Sequence, residues 1–188
     1  MNVFNVVKKS HKFKTKELPK EEDYSQLIET SSLIYEDGKL IIAYLKLPEK
    51  IKSLLEKVLK TTKPRKDQRT SGLPSIQSVF GVLPRNAIRH DFCRYSSHSK
   101  SEKNNHKIVF TIARYISDLY KEYFPSYYEN HNTWVRENIL GDWLSSETPF
   151  TTVNYNVNHA IRYHFDKGNL QGTISNVCIL KKGVIGGG

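Results

Sequence analysis

The stretch Phe150-Thr151-Thr152-Val153-Asn154-Tyr155-Asn156-Val157, followed after a break by Ile161-Arg162-Tyr163-His164-Phe165-Asp166-Lys167-Gly168-Asn169, decides how the chain is read. Before it, apolar residues recur at helical spacing. From Phe150 the period is two: Val153, Tyr155 and Val157 alternate with Asn154 and Asn156, and Ile161, Tyr163 and Phe165 alternate with Arg162, His164 and Asp166. Side chains two apart on a strand point to the same face, which pairs Asn154 with Asn156 and His164 with Asp166. An imidazole beside a carboxylate is two thirds of a 2-His-1-carboxylate triad, the set that holds Fe(II) and leaves adjacent positions open. An isolated His-x-Asp carries little weight, because seven His and seven Asp in 188 residues yield roughly 0.26 such pairs by chance. The alternative for an isolated pair is a surface histidine and an aspartate that opens the turn Asp166-Lys167-Gly168-Asn169.

Working outward, Ile174 to Leu180 reads as a further strand and Lys182-Gly183 as a turn. Upstream, an amphipathic helix is expected from about Lys107 to Phe124, with Val109, Ile112, Ala113, Ile116, Leu119, Tyr120 and Tyr123 inward and Pro125 as its stop. A second helix is expected over Ser126 to Asn138. Ser96 to Asn105 reads as a polar loop, residues 76 to 95 as mixed, and Lys63 to Gly72 as an exposed basic loop. Ile51, Leu54, Leu55, Val58 and Leu59 predict a helix opened by Pro48, and Asp37-Gly38 between two apolar runs predicts a hairpin over Leu33 to Tyr44. Residues 1 to 30 read as a loosely held extension with one short helix. The expected organisation is an extension with hairpin and helix over 1–62, then a domain over 63–188, of class α+β with helices first and strands after.

The apolar fraction is 38% and aromatic residues make up 11%, which excludes a disordered chain. The two cysteines, Cys93 and Cys178, are isolated, which excludes a cysteine-rich zinc site. No apolar run is long enough for a membrane-spanning helix, and the apolar-then-basic N-terminus reverses the order of a secretory signal. A cytoplasmic protein is therefore expected, with the nucleus as the alternative. The formal net charge of +10 favours polyanionic partners. Lys63, Arg65, Lys66 and Arg69, with Arg85 and Arg89, are the candidate phosphate contacts; a solvated basic loop is the competing account.

The order Pro149 to Asn156, then His164-Phe165-Asp166-Lys167-Gly168-Asn169, then Ser175-Asn176-Val177, then the glycine run 186–188 resembles the TET/JBP-like group of Fe(II)/2-oxoglutarate dioxygenases, especially its phage and viral members. Ser78 to Arg85 is similar to the segment ahead of that family's core, and the likeness covers roughly residues 68 to 188. The resemblance implies a double-stranded β-helix, or jelly roll, whose mouth holds the metal. It implies Fe(II) and 2-oxoglutarate as cofactors, and oxidation of the 5-methyl group of thymine or 5-methylcytosine in DNA, with RNA as the alternative. It makes His164 and Asp166 the proximal histidine and the carboxylate, and puts Asn154 and Asn156 at the cavity as candidate contacts to a ligand or the co-substrate. The family's distal histidine and its cation for 2-oxoglutarate follow the glycine-rich turn. Here the remaining histidines, His11, His90, His98, His106, His131 and His159, all precede His164. The expectation is a jelly roll incomplete at its C-terminus, completed by a further segment or a partner chain.

Two other readings stand beside this one. A dioxygenase of the same fold can act on protein or a small molecule, since fold does not fix substrate. A non-catalytic basic module that binds nucleic acid or a protein partner is the rival from another class.

Overall fold

The computed structural model describes residues 1–7, 17–18, 20, 23, 26–63, 65–68, 74–83, 93–144, 148–157 and 169–180, with the backbone alone at 65–68 and 74–76. They fall into two compact units, one within Met1–Glu49 and one made of Lys50–His159 with Asn169–Leu180. The class is α+β: four α-helices and two small sheets, with no closed barrel among the described residues.

The first unit is a three-stranded sheet in the order β1 (Asn2–Val6), β2 (Ser32–Glu36), β3 (Lys39–Tyr44). The expected hairpin is present. Asp37 at φ 48° and Gly38 at φ 76° turn the chain, and both positive angles match the twist that a two-residue hairpin loop needs. A register shift after Ile34 leaves one extra residue on β3. β1 corrects the expectation of a loose N-terminal extension: it pairs in parallel with β2, Asn2 opposite Ser32 through Val6 opposite Glu36. Alternation was hard to see there because Val3, Val6 and Val7 are all exposed.

The second unit begins at Lys50, so α1 (Glu49–Thr61) goes with it. Ile51 and Val58 of α1 are buried seven residues apart, two turns on one face. The second unit's sheet is organised by β5 (Pro74–Leu83). β4 (Arg65–Gln68) and β7 (Thr152–Val157) flank β5, because Ile76 and Gln77 pair with both, and β6 (Arg94–Tyr95) joins it at Val82 and Leu83. β5 replaces the mixed reading of 76–95. Its alternate residues Ser78, Phe80 and Val82 are all buried, but the serine in that row hides the apolar alternation. β4 replaces part of the expected basic loop. Its four residues are polar, so its strand state comes from the ladder with β5 rather than from propensity.

The core of the unit packs Val58 of α1, Phe80 of β5 and Val109 of α3 (Lys103–Tyr123), flanked by Ile108, Phe110 and Val153. Burial of a side chain the size of Phe80, which is 0% exposed, contributes about 1.5–3 kcal/mol. The inward stripe of α3 matches the expected one at Val109, Ile112, Ala113 and Tyr120. Pro125 ends α3 and supplies the first turn of α4 (Pro125–Asn138), where its missing N–H costs nothing. The loop expected at 96–105 contains α2 (Ser97–Ser101) and the start of α3. Ser96 caps α2, accepting from the amide of Ser99 at 3.1 Å.

Ile174 to Leu180, expected as a strand, forms no ladder among the described residues. The amide of Ile174 donates to the Tyr120 hydroxyl at 3.2 Å, and Val177 and Ile179 are 79% and 52% exposed. Exposure of both apolar residues removes the burial that would favour a paired strand. No described helix is long and apolar enough to cross a membrane.

Candidate functional site

β7 lies within the described part of the stretch that opened the sequence reading. Its period of two is realised: Val153 packs on the core, while Asn154 and Asn156 are exposed on the opposite face. Asn154 stands opposite Val79 and Asn156 opposite Gln77, so the two amides share a face with the half-buried side chains of those residues. Each amide offers one acceptor and two donor hydrogens, enough to bind a carboxylate or orient an imidazole. The register continues across the sheet: Arg65 pairs with Gln77 and Lys66 with Ile76. Arg65 therefore shares a register row with Gln77 and Asn156. His164, Asp166, Arg69, Arg85 and Arg89 lie outside the described residues, as does the stretch from Ile161 to Phe165.

A buried polar network, not legible beforehand, joins β5 to α2 and α3. Its centre is Ser99. The amide of Gly81 donates to Ser99 Oγ at 2.7 Å, and Ser96 Oγ donates to it at 2.9 Å. Both acceptor positions of that oxygen are then used; His106 Nδ1 lies 3.0 Å from it and the Gly81 carbonyl oxygen 3.5 Å from it as acceptors facing its proton. Burial lowers the pKa of His106, which keeps the ring neutral and able to accept. A serine hydrogen-bonded to a histidine is the contact of a nucleophile and its base. Here the oxygen is saturated and the residue is buried, so the pair ties α2 to the sheet and is not a nucleophilic site. The serine spacing Ser96-x-x-Ser99 ahead of a helix was the available signal.

The same network holds the end of α1. His98 Nε2 lies 3.1 Å from the carbonyl oxygen of Lys63, which can only accept, so the ring proton sits on Nε2; Ser78 Oγ is 3.3 Å from the same nitrogen. Asn105 Nδ2 donates to Thr62 Oγ1 at 3.1 Å and to Glu102 Oε2 at 2.9 Å, while Thr61 Oγ1 donates to Asn105 Oδ1 at 2.9 Å. The Lys63 amide donates to Glu102 Oε1 at 3.4 Å.

The third cluster is aromatic. Tyr120 stacks on Phe150 at 6.1 Å and meets Tyr128 and His131 edge-on. His131 Nδ1 is buried and finds no hydrogen-bond partner among the described residues, and burial lowers the pKa of that ring. Tyr95 and Trp134 are partly exposed, at 39% and 43%.

No three His, Cys, Asp or Glu side chains converge on one point among the described residues. His98 and His106 are hydrogen-bonded to Lys63, Ser78 and Ser99, and His131 sits among the rings of Tyr120 and Phe150. Comparison with protein-family models, with curated proteins and with solved structures returns no match.

Proposed function

We propose that this chain contributes His164 and Asp166 to the iron site of a 2-oxoglutarate-dependent dioxygenase that oxidises the 5-methyl group of thymine or 5-methylcytosine in nucleic acid. The observation that supports this reading is the two-faced sheet. Phe80 and Val153 turn one face to α1 and α3, so a jelly roll built on these strands has only the other face to enclose. That is the face of Asn154 and Asn156, and it leads along the chain toward His164 and Asp166. The iron, when bound, would supply the activation of O₂ that no side chain provides. The chain's own part is to present one imidazole and one carboxylate from neighbouring positions. It also offers the amide groups of Asn154 and Asn156 on the free face of β7 and carries positive charge for the phosphates of the strand whose base is oxidised.

The test is metal retention and base oxidation in the same preparation. With Co(II) as a spectroscopic stand-in for Fe(II), His164→Ala and Asp166→Ala should each weaken metal binding by roughly tenfold or more, as loss of a direct ligand costs at least what loss of an outer partner does. With Fe(II), 2-oxoglutarate and a methylated oligonucleotide, and with the distal histidine and the 2-oxoglutarate cation supplied by a further segment or partner chain, mass spectrometry should detect an oxidised methyl group that disappears in both variants. Metal binding indifferent to both substitutions refutes the iron site and leaves the basic-module reading.

A further inference from the structure

We infer that the junction of α1 with α2 and α3 is a nucleic-acid backbone contact surface, with Lys60, Lys63, Lys100 and Lys103 as its phosphate-binding cations. This goes beyond the basic track read from the sequence, since Lys60, Lys100 and Lys103 belong to a helix end, to α2 and to the α3 start, not to that track. It does not depend on the iron site.

The hydrogen bonds described above fix the placement. The chain at Thr61 to Lys63 is tied by Asn105, Glu102 and His98 to residues that precede or open α3. Lysines distant in sequence are thereby gathered round one polar knot, and Lys60, Lys63, Lys100 and Lys103 are all exposed. Lys57 extends the set on the α1 face one turn before Lys60, and Lys107 does the same on α3 one turn after Lys103. Against these six cations stand Glu56 and Glu102. The Glu102 carboxylate is already used by the Lys63 amide and the Asn105 side chain. Glu102 is the N-cap of α3 and its carboxylate offsets part of the positive end of that 21-residue helix, so the lysines themselves carry the attraction. Residues 100–105 line an open groove of about 370 Å³ at this point. An open groove lined by Lys100, Ser101, Glu102, Lys103, Asn104 and Asn105, with net positive charge, fits a phosphate chain better than an apolar ligand.

Fluorescence anisotropy of a labelled 20-mer duplex, titrated at several KCl concentrations without iron or 2-oxoglutarate, tests the inference. The triple variant Lys60→Ala, Lys100→Ala, Lys103→Ala removes three contacts, each worth about 0.9 in the slope of log K against log salt. Between 50 and 200 mM salt the wild type should then lose roughly 40-fold more affinity than the variant. A double variant, Lys121→Ala with Arg136→Ala, removes positive charge elsewhere; Lys121 lies about 27 Å along α3 from Lys103. It should leave the slope unchanged. Circular dichroism of each variant confirms that the fold is kept. An unchanged slope in the triple variant overturns the inference. So does an equal loss per charge in the double variant, which would make binding a matter of net charge. Lysine-dependent binding to anionic vesicles with none to the duplex would also overturn it and make the partner a membrane surface. Because no metal enters the assay, failure here leaves the test of His164 and Asp166 untouched.

Discussion

Replacing Gly81 by alanine should destabilise the second unit more than any other single-methyl addition at its described glycines. Gly81 sits at φ 107°, a backbone conformation that residues with a Cβ avoid, and holding it there costs about 1–3 kcal/mol. A Cβ at this position would also run into the carbonyl oxygen of Thr151 and come within 2.9 Å of Thr152 Cα. Both obstacles are backbone, so relief requires β5 and β7 to part where Val82 donates to Thr151 at 2.9 Å. Overpacking of this kind costs about 1–3 kcal/mol more. A combined loss of about 4 kcal/mol lowers the melting temperature by roughly 8–16 °C at this chain length. Gly172→Ala is the internal comparison. Its φ of 74° is similarly restrictive, but the atom a Cβ would meet is Asn130 Nδ2, the far end of a side chain that can swing aside. Strain plus the loss of the Asn130 bonds to Gln171 and Gly172 predicts about half the effect. Thermal unfolding followed by circular dichroism reads both. A Gly81→Ala protein that melts within 3 °C or so of wild type, or above Gly172→Ala, refutes the close approach of β5 and β7 at Thr151.

Two further outcomes follow from the same networks. Asn105→Ala strands the buried hydroxyl of Thr62 and frees the Glu102 carboxylate from its amide partner, so the urea midpoint should fall by an amount worth about 1–3 kcal/mol; an unchanged midpoint would mean that the tie between α1 and α3 contributes nothing. His131 has its pKa lowered by burial, so below about pH 6.5 the unfolded chain binds a proton that the folded state resists, and stability should fall as pH drops through that range, with a limiting slope of about 1.4 kcal/mol per pH unit. His131→Phe should flatten this slope and leave pH 7.5 stability unchanged or improved, because Nδ1 has no partner to lose; His106, lowered by the same cause, keeps part of the slope. Parallel pH curves for variant and wild type would show that His131 plays no part.

What the sequence made legible was what local physics decides alone. The hairpin at Asp37-Gly38, the helices that became α1, α3 and α4, and the alternation of β7 each carry their own signal: a turn that needs positive φ, a stripe at helical spacing, a strict period of two. The misses share a different cause. β1 and β4 are strands because a neighbour completes their ladders, and no pattern within five or four residues announces that neighbour. β5 was obscured by Ser78, a polar residue in the buried row whose burial is made tolerable by His98 from a helix twenty residues away. Ile174 to Leu180 failed in the other direction: β-branched and apolar residues suggested a strand, yet Tyr120 takes up the first amide and Val177 and Ile179 remain in solvent. For the candidate site the same division holds. Period-two spacing was enough to put Asn154 and Asn156 on one face and Val153 on the other. The lysines of the α1–α3 junction could not be grouped that way, because the end of α1 and the start of α3 meet through bonds of Asn105 and Glu102 to Thr61, Thr62 and Lys63 that no spacing within the sequence announces. A surface assembled from separate helices belongs to the fold and not to any window of sequence. That is why the basic character was visible in the net charge long before its location was.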